Sequence, residues 1–334
     1  MKSSQLFPGV KQKLPFSPIE QEVHYLNTCK NYVQIKTAFA NAVQRLKQAG
    51  IPAPELEVSL LLAHILNMGR TTVLLAGEKN IAEAQHAAFE KYISRRVARE
   101  PLAYIIAEKE FWSRTFKVSK DVLIPRPETE FLLEKALAAC KSPAENPEQP
   151  CKILDLGTGS GVIAIIMALE LPAAKVTAID YSYKALKIAR YNAKKHKVAD
   201  RIDFVNCDWF AGIAADAEFD AVISNPPYIA REVLAKPFGM SSASLQPEVG
   251  DFEPGLALDG GERGTREISR IAAELDKVLK PGGWFFMEIG ADQKKEAFDI
   301  ITNASAYDSI EIFDDYAGLP RVLQARKVMV NGCC

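Results

Sequence analysis

Lys152-Ile-Leu-Asp-Leu-Gly-Thr-Gly-Ser-Gly-Val-Ile-Ala-Ile165 joins a short apolar run to glycines at 157, 159 and 161, and then to an apolar pattern of helical spacing. It reads as strand, tight turn and helix. Glycine lets a ligand approach the backbone closely, and amides at a helix N-terminus suit a carboxylate. A lone glycine-rich loop is weak evidence, so the next strand matters: Lys175-Val-Thr-Ala-Ile-Asp180 ends in an acid. That acid falls about twenty residues past the glycines, where nucleoside sites grip a ribose hydroxyl pair. A third strand, Arg201-Ile-Asp-Phe-Val-Asn206, leads into Asp208-Trp209, an acceptor and an aromatic face suited to an adenine amine and ring. Taken alone, Trp209 reads as a core residue. Val162 stands where a dinucleotide-binding loop has its third glycine. The loop Gly157-Thr158-Gly159-Ser160-Gly161, with Asp180, therefore favours S-adenosylmethionine over NAD, its methionine carboxylate at the helix start.

A fourth apolar strand, Phe219-Asp-Ala-Val-Ile-Ser224, ends in Asn225-Pro226-Pro227-Tyr228. Proline has no backbone donor and drives the preceding residue toward extended geometry, so the turn is rigid and rich in acceptors. An amide or exocyclic amine is a poor nucleophile because its lone pair is delocalised, and it must be held in an attacking geometry. The Asn225 side-chain oxygen and the Pro226 carbonyl can each accept one N–H while the Tyr228 ring packs on the planar group. This is catalysis by positioning and electrostatics, without a strong base.

Strands alternate with helical patterns through the rest of the chain. A helix is expected from about Thr265 to Leu279, a strand over Trp284–Ile289, a helix from about Asp292 to Thr302, and two strands near Ser309–Phe313 and Arg321–Lys327. The alternation implies a mostly parallel sheet covered on both faces, and the last pair, lacking a helix between them, implies an antiparallel edge. Ala230–Gly264, rich in Gly, Pro and Ser, reads as a long binding loop. Upstream, Ala38, Ala42, Val43, Leu46 and Ala49 recur at helical spacing before Gly50. Leu56–Leu66 and Ala82–Arg99 complete a small helical bundle. Phe111–Ile124 reads as a hairpin joining bundle to sheet. Arg126 and the acids after it start a helix, with Arg126 and Thr129 placed at the methionine end of the cofactor pocket.

Composition agrees with an enzyme of two domains: 334 residues, nearly half hydrophobic, with a formal net charge of −1. That charge argues against a protein that coats nucleic acid, so no stable nucleic-acid binding is expected. The cysteines at 29, 140, 151, 207, 333 and 334 form no Cys-x-x-Cys pair and have no matching histidine cluster, so neither metal nor disulfide framework is read. His24, His64, His86 and His196 read as structural or peripheral. No apolar stretch is long enough to span a bilayer and residues 1–34 carry no secretory pattern, so the expectation is a cytoplasmic monomer without membrane contact.

Four stretches in fixed order give the chain a family resemblance: Arg99-Glu-Pro-Leu-Ala-Tyr104, Leu123-Ile-Pro-Arg-Pro-Glu-Thr-Glu130, Asp155-Leu-Gly-Thr-Gly-Ser-Gly161 and Ser224-Asn-Pro-Pro-Tyr-Ile229. Phe252–Gly261, Lys280–Gly283, Glu288-Ile-Gly290 and Asp315–Arg321 add echoes. From about Ala38 to Arg326 the chain resembles the release-factor glutamine methyltransferases of the HemK/PrmC type. The resemblance implies an α/β fold: a seven-stranded, mostly parallel, Rossmann-like class I methyltransferase sheet with a small N-terminal helical bundle joined by a β-hairpin. It implies an extension over 1–34, a substrate-recognition bundle over 35–108, a hairpin linker over 109–125 and a methyltransferase domain over 126–330.

The resemblance further implies methyl transfer from S-adenosylmethionine, without metal, to the side-chain N5 of the glutamine in the Gly-Gly-Gln motif of class I peptide chain release factors. Cofactor contacts would be Gly157, Thr158, Gly159, Ser160, Gly161, Asp180 and Trp209, with Asp208 added on chemical grounds. Asn225, Pro226, Pro227 and Tyr228 would hold the substrate glutamine, Asn225 bordering the cofactor as well. Relatives that modify a ribosomal-protein glutamine usually carry a Pro-Arg-Ser-Pro type segment. Pro125-Arg-Pro-Glu-Thr-Glu130 favours the release-factor branch. Ala107 departs from the family's usual glycine, a change expected to alter a turn and not the chemistry. Amino-methylation of adenine in nucleic acid is the rival reading, since adenine also offers a planar nitrogen, but it needs a base-flipping pocket. A non-catalytic adaptor would be expected to lose Asn225 or the glycine loop.

Overall fold

The computed structural model describes residues 32–144, 150–214, 217–236 and 245–329, so the expected 1–34 extension falls largely, and Cys333 and Cys334 wholly, outside it. The chain divides into two compact units, residues 1–97 and 98–334.

In the smaller unit, β1 (Val33–Gln34) pairs antiparallel with β2 (Asn80–Ile81) beside the helices Ile35–Gln48, Pro54–Leu66, Arg70–Leu75 and Glu83–Val97. Ala38, Ala42, Val43 and Leu46 are buried, as their helical spacing requires; Val58, Leu61, Leu62, Phe89 and Ile93 complete the core. Pro54 opens its helix in the first turn, where a missing N–H costs nothing. The Arg70–Leu75 helix and the two-residue strands have no sequence period long enough to announce them.

The larger unit begins with a short helix, Leu102–Ile106, and a hairpin of β3 (Glu108–Phe111) and β4 (Arg114–Lys117). The hairpin therefore lies earlier than the expected Phe111–Ile124. Trp112 and Ser113 turn it with φ of 53° and 54°, the mirror-image turn that matches strand twist, and after Lys117 the strand assignment ends, with the Val118 N–H still donating to the Ala107 carbonyl (3.1 Å). Buried Asn192 staples the hairpin to the sheet: its Oδ1 accepts from the Lys117 N–H (2.8 Å), and its Nδ2 donates to the carbonyls of Lys117 (3.0 Å) and Ser160 (2.8 Å).

Seven strands follow: β5 (Lys152–Leu156), β6 (Lys175–Asp180), β7 (Ile202–Asn206), β8 (Phe219–Ser224), β9 (Leu279–Glu288), β10 (Tyr307–Asp314) and β11 (Pro320–Lys327). They form one sheet in the order β10-β11-β9-β8-β5-β6-β7. Only β11 runs antiparallel to its neighbours, and it lies between β9 and β10, leaving β10 at the edge. Successive residues of β5 enter opposite cores, Ile153 on one face and Leu154 on the other, which is why buried parallel strands read as apolar runs without alternation. The helix Val162–Glu170 buries all seven residues from Val162 to Ala168, each side chain contributing about 1.5–3 kcal/mol for the larger apolar types.

The helix expected over Thr265–Leu279 is two, Arg266–Ala272 and Leu275–Val278. The second runs straight into β9, whose ladder with β8 pairs Phe219 with Leu279, shifts register over Lys280-Pro281-Gly282-Gly283, and resumes at Ala221 with Trp284. The β5 strand pairs with β6 on one side and β8 on the other, so the strand order reverses there. A crevice opens at the carboxyl ends of the strands at such a switch point.

Candidate functional site

A cavity of about 430 Å³ occupies that crevice, of a size that suits a nucleoside-type ligand. Gly157, Thr158, Gly159, Ser160, Asp180, Asp208, Trp209, Asn225, Pro227, Arg126 and Thr129 line it. Gly161, Pro226 and Tyr228 do not.

The glycine loop holds φ of 75° at Gly157, 55° at Gly159 and 86° at Gly161. Gly157 and Gly161 have separate reasons. A Cβ on Gly157 would sit 3.6 Å from the Trp209 ring, while one on Gly161 would meet Ala189 at 3.0 Å and Ile165 at 3.1 Å. Gly161 thus serves close packing of two helices behind the loop. The loop's amides are mostly spent within the protein. Gly157 and Thr158 donate to the Ile179 carbonyl (2.9 and 2.8 Å), Gly161 to the Thr158 carbonyl (2.8 Å), and Gly159 to Asp180 Oδ2 (2.8 Å). The loop offers a ligand clearance more than a row of free donors.

Asp180 also accepts from the Ser182 N–H at Oδ1 (2.7 Å). A carboxylate has about four acceptor positions, so two remain for hydroxyls. Burial pushes its pKa up, against the pull of those two amides. Asp155, beneath the loop, is fully buried. Its Oδ2 accepts from Thr158 Oγ1 (2.6 Å) and the Ala164 N–H (3.0 Å), its Oδ1 has no partner, and burial raises its pKa to about 7.

At the adenine-suited end, Trp209 takes φ of 46° and its indole N–H donates to Glu267 Oε2 (2.7 Å). Arg270 bridges Glu267 (3.0 Å) and Asp208 (2.7 Å), so Asp208 is ion-paired at the rim. Burial pushes Glu267 upward, yet hydrogen bonds from Arg266, Trp209 and Arg270 bring it below the usual carboxylate range. Opposite, Arg126 pairs with buried Glu253, which also accepts the Ile124 N–H (3.0 Å). This anchors the segment whose Pro254, Leu256 and Ala257 close that wall.

Asn225 leaves β8 beside the loop. Its Nδ2 donates to Glu288 Oε2 (2.9 Å) and Thr129 Oγ1 (3.1 Å). The Thr129 hydroxyl donates to the same Glu288 oxygen (2.7 Å), and the Tyr228 hydroxyl to Glu288 Oε1 (3.2 Å). Glu288 is 1% exposed; burial raises its pKa, opposed by the Thr129 hydrogen bond and by Arg321. Burial likewise raises the Tyr228 phenol. Gln293 fixes the exit from the turn, donating to the carbonyls of Tyr228 (2.9 Å) and Gly264 (3.0 Å). Of the expected 230–264 loop, the described residues 258–264 are stitched to this exit through Ile229 N–H to Leu258 O (3.0 Å) and Arg231 N–H to Gly261 O (2.8 Å).

Thr129 therefore reaches the Asn225 side of the cavity as a partner of Glu288. Nothing in the sequence marks Glu288, Glu253, Glu267 or Gln293 as site residues. Glu288 and Glu253 lie in the segments Glu288-Ile-Gly290 and Phe252–Gly261, but their partners Thr129 and Arg126 are more than a hundred residues away, and no local spacing marks such a pair.

Known proteins align with this arrangement. The PrmC N-terminal domain family matches residues 37–106, and a methyltransferase domain family matches residues 147–311. A release factor glutamine methyltransferase of Koribacter versatilis is 38% identical over 293 residues, covering 88% of this chain and 98% of that one. Its counterpart from Nitratidesulfovibrio vulgaris is 37% identical, covering 90% and 98%. Among solved structures, the catalytic domain of hMettl16 in complex with MAT2A 3'UTR hairpin 6 superposes with a TM-score of 0.50 at 13% identity, over 77% of this chain and 87% of that one. That likeness is one of fold.

Proposed function

The chain belongs to the release factor glutamine methyltransferases, and we propose that it transfers the methyl group of S-adenosylmethionine to the side-chain nitrogen of the glutamine in the Gly-Gly-Gln motif of class I peptide chain release factors. The observation that carries this reading is the orientation of Asn225: with Nδ2 committed to Glu288 and Thr129, Oδ1 is the atom left for a substrate N–H at the cavity wall. A planar primary amide is the group such an acceptor holds.

The residues present fit the cofactor. Gly157 clears space beside the Trp209 ring, Asp180 keeps acceptor positions for ribose hydroxyls, and Arg126, with Thr129 nearby, lies on the wall assigned to the methionine end. When bound, S-adenosylmethionine supplies an electrophilic methyl on a sulfonium. The protein's own part is positional. Asn225 Oδ1 and the Pro226 carbonyl accept the two amide protons and turn the nitrogen lone pair out of conjugation, and Pro227 narrows the wall beside them. Tyr228, tied to Glu288, holds the turn from behind. No strong base is needed: as the C–N bond forms the nitrogen becomes a cationic N-protonated amide, a stronger acid than hydronium, and one of its protons passes to water.

Peptide mass spectrometry of a purified class I release factor, after incubation with the protein and S-adenosylmethionine, tests the reading. One added methyl on the Gly-Gly-Gln glutamine is expected. Methyl on a ribosomal protein or on adenine in parallel incubations, with none on the release factor, would overturn it. Among the described residues no helix is long and apolar enough to cross a membrane. We place the protein in the cytoplasm, with its translation-factor substrate, as a monomer that forms no stable nucleic-acid complex.

A further inference from the structure

We propose that Glu288 is a positioning residue that decides which end of the Asn225 amide faces the substrate, acting directly and through the Thr129 hydroxyl. The inference rests on the reading above, in which Asn225 accepts a substrate N–H.

The two ends of an asparagine amide are nearly isosteric and opposite in hydrogen bonding. With Oδ1 outward the side chain accepts the substrate N–H. Turned over, it would set its own N–H₂ against the substrate N–H₂, donor against donor. Something must therefore choose. Behind Asn225 both contacts are acceptors: Glu288 Oε2 at 2.9 Å and Thr129 Oγ1 at 3.1 Å. A threonine hydroxyl is ambivalent, but its single proton goes to Glu288 Oε2 at 2.7 Å, leaving lone pairs toward Asn225. The carboxylate thus fixes the Asn225 amide twice, once itself and once by setting the sense of the threonine. Turned over, Oδ1 would face a carboxylate oxygen and a hydroxyl with no proton to give.

A carboxylate suits this task better than its neutral analogue. Both oxygens of Glu288 are acceptors, and Oε1 takes the Tyr228 hydroxyl at 3.2 Å. Glutamine has one end of each kind. It could present Oε1 to Thr129 and Asn225 while Tyr228 accepts from Nε2, or the reverse, and the choice is no longer enforced. At 1% exposure no bulk water settles the matter. Arg321, the cation whose field reaches Glu288, is itself held by Asp315 at 3.2 Å and by the Ile289 carbonyl, so Glu288 is not the partner of a direct salt bridge.

Glu288→Gln should lower kcat by about 10- to 100-fold, the usual scale for losing a supporting partner behind a group that touches the substrate. KM for the release factor and the Kd of S-adenosylmethionine should move less than about threefold, a split that mere unfolding would not produce. Thr129→Val should lose about tenfold in kcat and Thr129→Ser should restore it, and the double variant Glu288→Gln/Thr129→Val should cost less than the product of the two, since both act on one amide.

An independent readout is the side-chain ¹⁵N–¹H pair of Asn225, assigned by its disappearance in Asn225→Ala. It should move upfield in Glu288→Gln and stay in place in Thr129→Ser. Unchanged cross-peaks in Glu288→Gln, or an effect confined to KM or cofactor affinity, would overturn the proposal. If the wild-type protein methylates no release factor while the cross-peaks shift as described, the function reading falls and the positioning of Asn225 is supported.

Discussion

The two walls of one cavity are built by different means. The wall after β5 takes its shape from backbone: three positive φ values, a carbonyl that accepts two amides, and an acid that holds the loop by the Gly159 N–H. The wall after β8 takes its shape from side chains, with Asn225 oriented by Thr129 and Glu288, which stand 96 and 63 residues away in the chain. A backbone wall gives clearance and a fixed outline, and suits a ligand that is always the same. A side-chain wall gives a chosen sense of hydrogen bonding, and suits the one amide that must react.

The contrast can be strained hardest at Gly161. Gly161→Ala puts a methyl at φ +86° within about 3 Å of Ala189, and should cost roughly 2–4 kcal/mol of stability in urea denaturation. A loss below about 0.5 kcal/mol would mean that the loop is not set by its backbone.

Asp180→Ala should weaken S-adenosylmethionine binding by about 10- to 100-fold in calorimetry, because it removes an anchor of the loop as well as the ribose acceptor. An unchanged Kd would detach this acid from the cofactor wall.

Asp155→Asn sharpens the electrostatic side. Its folded pKa is raised from 3.8 to about 7, so the buried carboxylate destabilises the fold progressively as pH rises through that window. The neutral variant should be more stable than wild type by roughly 2 kcal/mol at pH 8, with the gap closing toward pH 4. A gap independent of pH would sink the assignment.

The smallest effect lies outside the cavity and carries the opposite sign. Ala107 ends the Leu102–Ile106 helix at φ 59°, in the left-handed region that favours glycine. Ala107→Gly should stabilise by about 0.5–1 kcal/mol in thermal or urea unfolding, with kcat unchanged.

The same division explains what the sequence made legible. The glycine loop, Asp180 and Asn225-Pro-Pro-Tyr228 are local signals, because glycine and proline constrain the chain where they stand. The strands Lys175–Asp180 and Phe219–Ser224 were readable to the residue for a related reason, being apolar runs bounded by turn chemistry. Glu288, Gln293 and Glu253 were not, since a glutamate at a strand end has no local mark of being 1% exposed and triply bonded. The hairpin slipped to Glu108–Lys117 because its turn residues, Trp112 and Ser113, lack the usual Asn-Gly chemistry. The helix after Thr265 broke at Ala273-Glu274 although no proline or glycine interrupts it there.

The most direct test of the account is one variant read two ways: S-adenosylmethionine affinity and methyl transfer to a release factor by Asn225→Ala. The two-wall arrangement predicts a Kd within about threefold of wild type together with a loss of transfer of at least about a thousandfold. Collapse of cofactor binding in that variant, or transfer that survives it, would contradict the assignment of Asn225 to the substrate amide.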